Sequence, residues 1–552
     1  MSSESESVEK PGQIYAVDPV VTTDNPADFV GREPIRKRLK QELADKSGRF
    51  LIYGEPGQGK TTLAKMFAYE NRSSFDLVVL QFSGDQDLDV TTAQLAEKLQ
   101  LDIGELAPDV QRREIQKVLL GKRSLLILDD VRRTDLEALI PRSSGTSAST
   151  LLTSWEQSLS CVSPSASEEL QGFGDVEIRR LFNKRTRKSN YADLIDRHWD
   201  TILNMANRLE RSPLVMSIAV DYVLDSLSLD ENHPGVDDVT IERLLADFED
   251  VGAVFDLVIE RCSAAELQML KIIAVSSESG VWLDFVEDAL KLETKESKEL
   301  VRDLANRSLV RRLGNSQLQI HSLLRTHIHS RGDLSEIQRH HSETVRVWFS
   351  DYQTRWRDCE KILTEVIPTA DRLRQDGDES WMTVTHVGFV LGYRIGQLAI
   401  GHEILKWQEA ICIELGNKDG LQACYGNQAL ILKAWGKLQE AMDLHKKKEA
   451  ICIELRNKDS LQRSYGNQAL ILQAWGKLQE AMDLHKKEEA ICIELGNQSG
   501  LAYCHWSTVG LYGAKGDVQL QRQYLERALK IFENLKMPRE TEAVEKEIAQ
   551  LE

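Results

Sequence analysis

Gly54-Glu55-Pro56-Gly57-Gln58-Gly59-Lys60-Thr61 fits the pattern G-x-x-x-x-G-K-[ST], and its reading decides the fold of the segment around it. The glycines let successive backbone N–H groups converge on an anion with no Cβ in the way. Arg49-Phe50-Leu51-Ile52-Tyr53 reads as a strand entering the loop, and Lys60 to Tyr69 as a helix leaving it. The helix N-terminus then faces the same anion. Lys60 is placed to reach the β- and γ-phosphates of a nucleotide, and the Thr61 hydroxyl to ligate Mg²⁺. Gly57, Gln58, Gly59, Lys60, Thr61 and Thr62 are the candidate nucleotide contacts of this loop.

Outward from the loop, Leu77 to Phe82, Ser124 to Leu128 and Thr150 to Leu152 are further apolar runs separated by helical patterns. Continuous apolar strands alternating with helices predict a buried parallel sheet covered on both faces. Ser124-Leu125-Leu126-Ile127-Leu128 ends in Asp129-Asp130. Asp129 emerges at the carboxyl end of its strand, where doubly wound sheets bind ligands, and is the second candidate Mg²⁺ holder. Asp130 is a candidate for orienting an attacking water, which with Lys60 makes the candidate catalytic pair. Without the loop, the two acids would read equally well as a solvated strand end.

The 552 residues are too many for one core. Hydrophobic residues at 41% and charged residues at 28% mark an ordinary globular chain. A formal net charge of -18 repels nucleic acid, so protein partners or small ligands are expected instead. Met1-Ser2-Ser3-Glu4-Ser5-Glu6 is acidic where a signal peptide is basic and then apolar. Arg394 interrupts the most apolar stretch, Val384 to Ile400, so no membrane span is expected. The eight cysteines form no CxxC pair, and Cys412, Cys452 and Cys492 recur every 40 residues as helix-packing positions. The expected compartment is the cytoplasm. His340-His341 with Cys359 lacks metal-ligand spacing, and no metal beyond the nucleotide's Mg²⁺ is expected.

These patterns divide the chain into a disordered tail (1–28), a P-loop α/β domain (29–160), a helical domain (161–250), a winged-helix domain (251–335), a helical linker (336–400) and a repeat domain (401–552). The winged helix is read from helices followed by two brief apolar runs, Ser308-Leu309-Val310 and Leu318-Gln319-Ile320. In the repeat domain, Glu409–Lys448 and Glu449–Glu488 align without gaps and differ at six pairs: 416/456, 420/460, 423/463, 424/464, 433/473 and 448/488. A third copy begins at Glu489 and diverges after Leu501. Such units, two helices each, stack into an α-solenoid because one alone cannot bury its apolar face. Positions 423/463 and 433/473 are read on the concave groove, as a peptide-binding surface or as neutral drift. Trp435 and Trp475 are read as inter-helix packing, and Lys446-Lys447-Lys448 as a solvated helix end.

Phe29-Val30-Gly31-Arg32-Glu33, ahead of the loop, resembles the entry of NB-ARC proteins, a branch of the STAND signalling ATPases. That resemblance implies ATP or ADP as ligand, with Val30 and Arg32 against the adenine and ribose. Leu151-Leu152-Thr153-Ser154-Trp155 sits where the family has a strand ending Thr-Thr/Ser-Arg, with Trp155 in place of the arginine. Arg211-Ser212-Pro213-Leu214 resembles Gly-Leu-Pro-Leu, whose proline packs on adenine; Pro213 also reads as a plain helix-starting proline. Ile320-His321-Ser322 falls where the family has Met-His-Asp, which implies a contact from His321 to the ADP β-phosphate. The 40-residue units are similar to tetratricopeptide repeats, with Tyr465, Ala469, Leu472, Gly476 and Ala481 at that family's signature positions.

The resulting expectation is a nucleotide-switched sensor, at most a slow ATPase, controlled by a protein or peptide ligand in the repeat groove. The ATP-bound state leaves room for a homo-oligomer. A non-cycling nucleotide-bound scaffold and a STAND-type transcription regulator are the alternatives.

Overall fold

The computed structural model describes residues 16–17, 29–84, 86–103, 106–141, 148–186, 196–228, 238–313 and 316–551. The chain divides near Val387 into two compact units. The first is built on six parallel strands: β1 (Ala16–Val17), β2 (Arg49–Tyr53), β3 (Leu77–Gly84), β4 (Ser124–Val131), β5 (Ser149–Ser154) and β6 (Ser167–Glu169). Their spatial order is β1-β3-β4-β5-β2-β6. Alternate residues feed opposite faces, as strand geometry requires. Phe50, Ile52, Val78, Leu80, Leu125, Ile127 and Leu151 pack on one side, and Leu51, Leu77, Val79, Leu126, Leu128 and Leu152 on the other. Both faces are covered, so the strands are apolar throughout. The loop-bearing strand β2 lies beside β5, with Tyr53 in register with Ser154, which brings the loop to the end of the sheet where Asp129 emerges.

Two of the six strands escaped the sequence reading. β1 falls inside the segment expected to be a disordered tail, yet Ala16 and Val17 pair with Leu77 and Val78; the rest of that tail lies outside the described residues. β6 is the opposite edge, pairing Leu51 with Ser167. Strands of two and three residues are too short to carry a period of two.

Helices Asp175–Thr186, Trp199–Arg208 and Pro213–Ser228 follow the sheet. Then helices Val251–Glu260, Ala264–Val275, Leu283–Leu290 and Thr294–Asn306 surround a small antiparallel sheet of β7 (Val281–Trp282), β8 (Arg311–Leu313) and β9 (Gln317–Gln319), forming the winged helix. The hairpin is not where the apolar runs put it. Ser308 takes the left-handed conformation (φ 60°), and the amides of Ser308 and Leu309 bond back to Ala305 and Leu304. Leu309 and Val310 therefore finish the preceding helix as buried plugs, and the strand starts at Arg311.

The second unit is a run of antiparallel helices: Leu398–Glu414, Lys418–Ala434, Leu438–Glu454, Lys458–Ala474, Leu478–Leu495, Gln498–Ala514, Val518–Asn534 and Pro538–Ala549. Asn417, Asn457 and Asn497 cap the first helix of successive units, their side chains accepting from the amides of Gly420, Ser460 and Gly500. Ala429, Ala441, Ala469 and Ala481 are fully buried, so neighbouring helices approach closely. Trp435 is buried edge-on to His402, with ring centroids 5.0 Å apart.

One reading of the repeat is corrected. Lys448 lies inside helix Leu438–Glu454 and is buried, so the lysine run is not a solvated helix end. It shares an inward stripe with Ala441, His445 and Cys452, all at helical spacing. Gln473 is half-buried, and its amide lies where a Cβ on Gly510 of the next unit would fall, so this position also touches the neighbouring unit. Ala423 and Arg463 are exposed. Among the described residues, no helix is long and apolar enough to cross a membrane.

Candidate functional site

The loop between β2 and helix Lys60–Glu70 turns on three glycines with positive φ: 139° at Gly54, 85° at Gly57 and 86° at Gly59. Only glycine adopts such values cheaply, and Gly54 and Gly57 have no room for a Cβ. At Gly54 it would stand 2.6 Å from the Leu170 carbonyl, and at Gly57 2.8 Å from the Ser212 hydroxyl and 2.9 Å from Leu323. Gly57 is thus pressed between the helical segment and the winged helix. Its carbonyl accepts from the Ser212 hydroxyl (3.3 Å) and the Leu214 amide (3.4 Å). The divergent Arg211-Ser212-Pro213-Leu214 turn therefore binds the loop through a hydroxyl that a Gly-Leu-Pro-Leu turn would lack.

The Lys60 ammonium donates to the carbonyls of Gly54 (2.7 Å) and Glu55 (2.9 Å). Burial holds its pKa below the usual lysine value, opposed by Asp130 and Asp129. The Thr61 hydroxyl donates to Asp129 at 2.9 Å, and the Thr153 hydroxyl donates to the same oxygen at 2.5 Å. Asp129 is buried, and desolvation raises its pKa against those two hydrogen bonds. A dication beside Thr61 would remove that penalty, so the Thr61–Asp129 pair suits Mg²⁺ chemically. Asp130 adopts a left-handed backbone (φ 57°), its amide donates to Thr153, and its carboxylate pairs with Arg132 at 2.7 Å. Arg132 also reaches Glu278 of the winged helix at 3.3 Å. Trp155 stands at the cavity rim, 63% exposed.

His321 caps helix Ser322–Arg331, its Nδ1 accepting from the Leu323 amide at 3.1 Å. A ring that accepts at Nδ1 carries its proton on Nε2 when neutral. Burial, then Arg311 and Lys60, pull its pKa down to about 3, so the ring is neutral at physiological pH. Arg311, on β8 and ten residues earlier, reaches the Thr62 hydroxyl at 3.3 Å. No motif pointed to Arg311; its pairing across the hairpin with Gln319 places it beside the residue before Ile320-His321, and that adjacency was the only available signal.

Two adjoining cavities meet at these residues. One, of 440 Å³, is lined by Lys60, Thr61, Asp129, Asp130, Thr153 and Arg311 among others. The other, of 260 Å³, is lined by Val30, Arg32, Gln58, Phe173, Pro213 and Val310 among others. Gly57, Gly59, Thr62, Arg311 and His321 line both. Arg32 is fixed by its amide to Glu177 (3.0 Å), by its guanidinium to the Gln171 carbonyl (2.6 Å), and by the Phe173 ring 5.1 Å beneath it. All the sequence-picked residues thus converge on one cleft. His341, by contrast, is fully buried between Glu365 and Arg372 and has no opening toward it.

The family model for the NB-ARC domain matches residues 32–183. Among solved structures, a STAND protein with a tetratricopeptide repeat sensor from Pyrococcus horikoshii is 13% identical over 94% of this chain and 85% of its own, with a TM-score of 0.40. The nearly identical TPR-like repeats of a protein from Podosopora anserina named as a kinesin light chain are 20% identical over 35% of this chain and 94% of their own, with a TM-score of 0.30. No curated protein matches. The domain match covers the phosphate loop, both strand-end aspartates and the arginine at the cleft's entry, and the conclusion is that this chain carries an NB-ARC domain at residues 32–183, set ahead of a run of 40-residue helical repeats.

Proposed function

We propose that this protein is a nucleotide-switched signalling protein that binds ADP or ATP with Mg²⁺ and is controlled by partner binding on its repeats. One observation carries the reading: residues of the P-loop, the Pro213 turn and the winged-helix hairpin line two cavities that share five residues. Together they have the few-hundred-Å³ size of a cofactor site. A ligand spanning both would be held by three modules at once, so its identity would bias whether they stay together.

The chain's own groups divide the work. Lys60 exchanges its two loop carbonyls for phosphate oxygens, and the loop amides hold the β-phosphate. Thr61 and Asp129 would hold Mg²⁺, which would supply charge neutralisation to the phosphates. The neutral His321 would offer its Nε2 proton to the phosphates of a bound nucleotide, tying the winged helix to it. Val30, Arg32 and Pro213 take the nucleoside, with Gln58 and Thr62 behind them. Asp130 is the group that would orient a water, but it is paired with Arg132, and Trp155 leaves no arginine on β5 to neutralise developing charge. Turnover in this closed form is therefore slow. Moving such a switch from 1% to 99% open takes about 5.5 kcal/mol of differential binding. Partner contacts on the repeats, with an oligomer in the open form, would supply it. Eight unpaired cysteines suit a reducing cytoplasm.

Calorimetry of the purified chain with ADP and ATP, each with and without Mg²⁺, tests the reading; no heat with any of them sinks it. Trp155 favours a second reading, a scaffold that holds nucleotide without cycling. Phosphate release on addition of a co-purifying partner would reject the scaffold.

A further inference from the structure

Helix Leu478–Leu495 carries His485 and Glu488 three residues apart, and helix Gln498–Ala514 carries Cys504 beside them. All three are buried, with 2%, 7% and 2% of their surface exposed. The Nδ1 of His485 meets a Glu488 oxygen at 2.9 Å, and the Cys504 thiol donates to the His485 carbonyl at 3.4 Å. One ligand atom from each residue lies within 4.8 Å of the others. His485 Nε2 has no hydrogen-bond partner although it is buried. A buried polar atom without a partner is unfavourable, and beside a carboxylate and a thiol it is open to a ligand.

The same interface one unit earlier gives an internal comparison. There His445, Lys448 and Ser464 occupy the equivalent positions, and both ring nitrogens of His445 lack partners. Two of the six differences between units, 448/488 and 424/464 with its third-copy counterpart Cys504, fall on this cluster. In the earlier interface the chain supplies its own cation, the Lys448 ammonium. In the later one a carboxylate and a thiol surround the histidine in place of that ammonium and a hydroxyl. Room for the acid is made by Gly466, where a Cβ would stand 2.5 Å from a Glu488 oxygen.

We propose that His485, Glu488 and Cys504 form a binding site for a borderline-soft divalent cation, Zn²⁺ being the ion that fits. Nitrogen, oxygen and sulfur ligands at about 2.0–2.3 Å from a tetrahedral ion stand roughly 3.3–3.8 Å apart, so closing on the ion takes shifts of about 1 Å. Burial and the neighbouring Glu488 carboxylate push the Cys504 thiol well up. Against that upward push, an ion bound there would displace the thiol proton to water and take the sulfur as thiolate. The fourth position is left to a water. Bound there, the ion ties the second helix of one repeat to the first helix of the next.

The test uses the full chain, stripped with a chelator and titrated with ZnCl₂ against a chromophoric chelator, and then with Co²⁺ alone. Wild type and Cys161→Ser are expected to bind about one equivalent and to show a sulfur-to-cobalt charge-transfer band. Cys504→Ser and Glu488→Lys install the residues found 40 positions earlier, so each has a folded precedent in the same chain. Both are expected to lose at least about 100-fold in Zn²⁺ affinity, and Cys504→Ser the band. If wild type withdraws no Zn²⁺ from the chelator, or if Cys504→Ser keeps wild-type affinity and the band, the site does not exist. Melting curves recorded without metal separate lost ligation from lost folding; should Glu488→Lys unfold, Cys504→Ser with Co²⁺ decides alone.

Discussion

The two halves of the cleft are built differently. The half proposed for the phosphates takes Lys60 and Thr61 from the loop and helix after β2, and Asp129 and Thr153 from β4 and β5, with Lys60 bonded to loop carbonyls and Thr61 and Thr153 to Asp129. The half proposed for the nucleoside takes Val30, Arg32, Phe173 and Pro213 from segments spread between positions 30 and 213, held together by Glu177, Gln171 and Ser212. One half is centred on adjacent strand ends of a single sheet and faced by Arg311 and His321 of the winged helix; the other is assembled from segments far apart in the sequence. Affinity should therefore reside mainly in the first half, and sensitivity to conformation in the second and in the residues they share.

Breaking the phosphate half has the largest expected effect. Lys60→Ala should weaken ADP and ATP by about 100-fold or more, since two charge-assisted contacts are lost at about 1.5–3 kcal/mol each. Calorimetry checks it, and unchanged affinity would remove the loop from the site. Asp129→Asn keeps the acceptor for Thr61 and Thr153 but removes the charge. It should erase most of the Mg²⁺-dependent gain in affinity, about 30-fold, while leaving metal-free binding nearly intact. His321→Ala, at the shared boundary, should speed ADP release about tenfold in a stopped-flow displacement, with little change in the melting temperature of the nucleotide-free chain. Pro213→Ala should cost only about threefold, and a loss as large as that of Lys60→Ala would overturn the division between halves.

The boundary also has a pH signature. The His321 pKa is lowered from its usual value to about 3 by burial. The unfolded chain therefore binds a proton between pH 6.5 and 3 that the folded one refuses. Stability from this group is complete above pH 6.5 and falls with acid by about 1.4 kcal/mol per pH unit. ADP retention should be flat from pH 6.5 to 8, and denaturant titrations should show His321→Asn with a shallower acid slope than wild type. A retention curve that breaks near pH 7 would mean the ring titrates in place.

What the sequence disclosed follows contiguity along the chain rather than the division of the cleft. The Gly54–Thr61 loop and Asp129 were legible because their chemistry is contiguous: a loop, a strand end, a fixed spacing. Arg311 was not, since its role exists only through a hairpin whose start Ser308 displaces by three residues. Arg132 and Glu278 meet across 146 positions, and no local pattern records such a pair. Lys448 shows the opposite failure, a signal present but misread. It sits three after His445 and four before Cys452, an inward stripe that outweighs the look of three consecutive lysines.

The near-copy of forty residues has a genetic consequence. Stretches so alike invite misaligned recombination, and each exchange would add or delete a whole helix pair in phase, leaving every inward stripe pointing inward. Because stacked units contact only their neighbours, such a change lengthens or shortens the array without redesigning it. Array length is thus a property that can drift quickly between lineages while the nucleotide cleft stays constant.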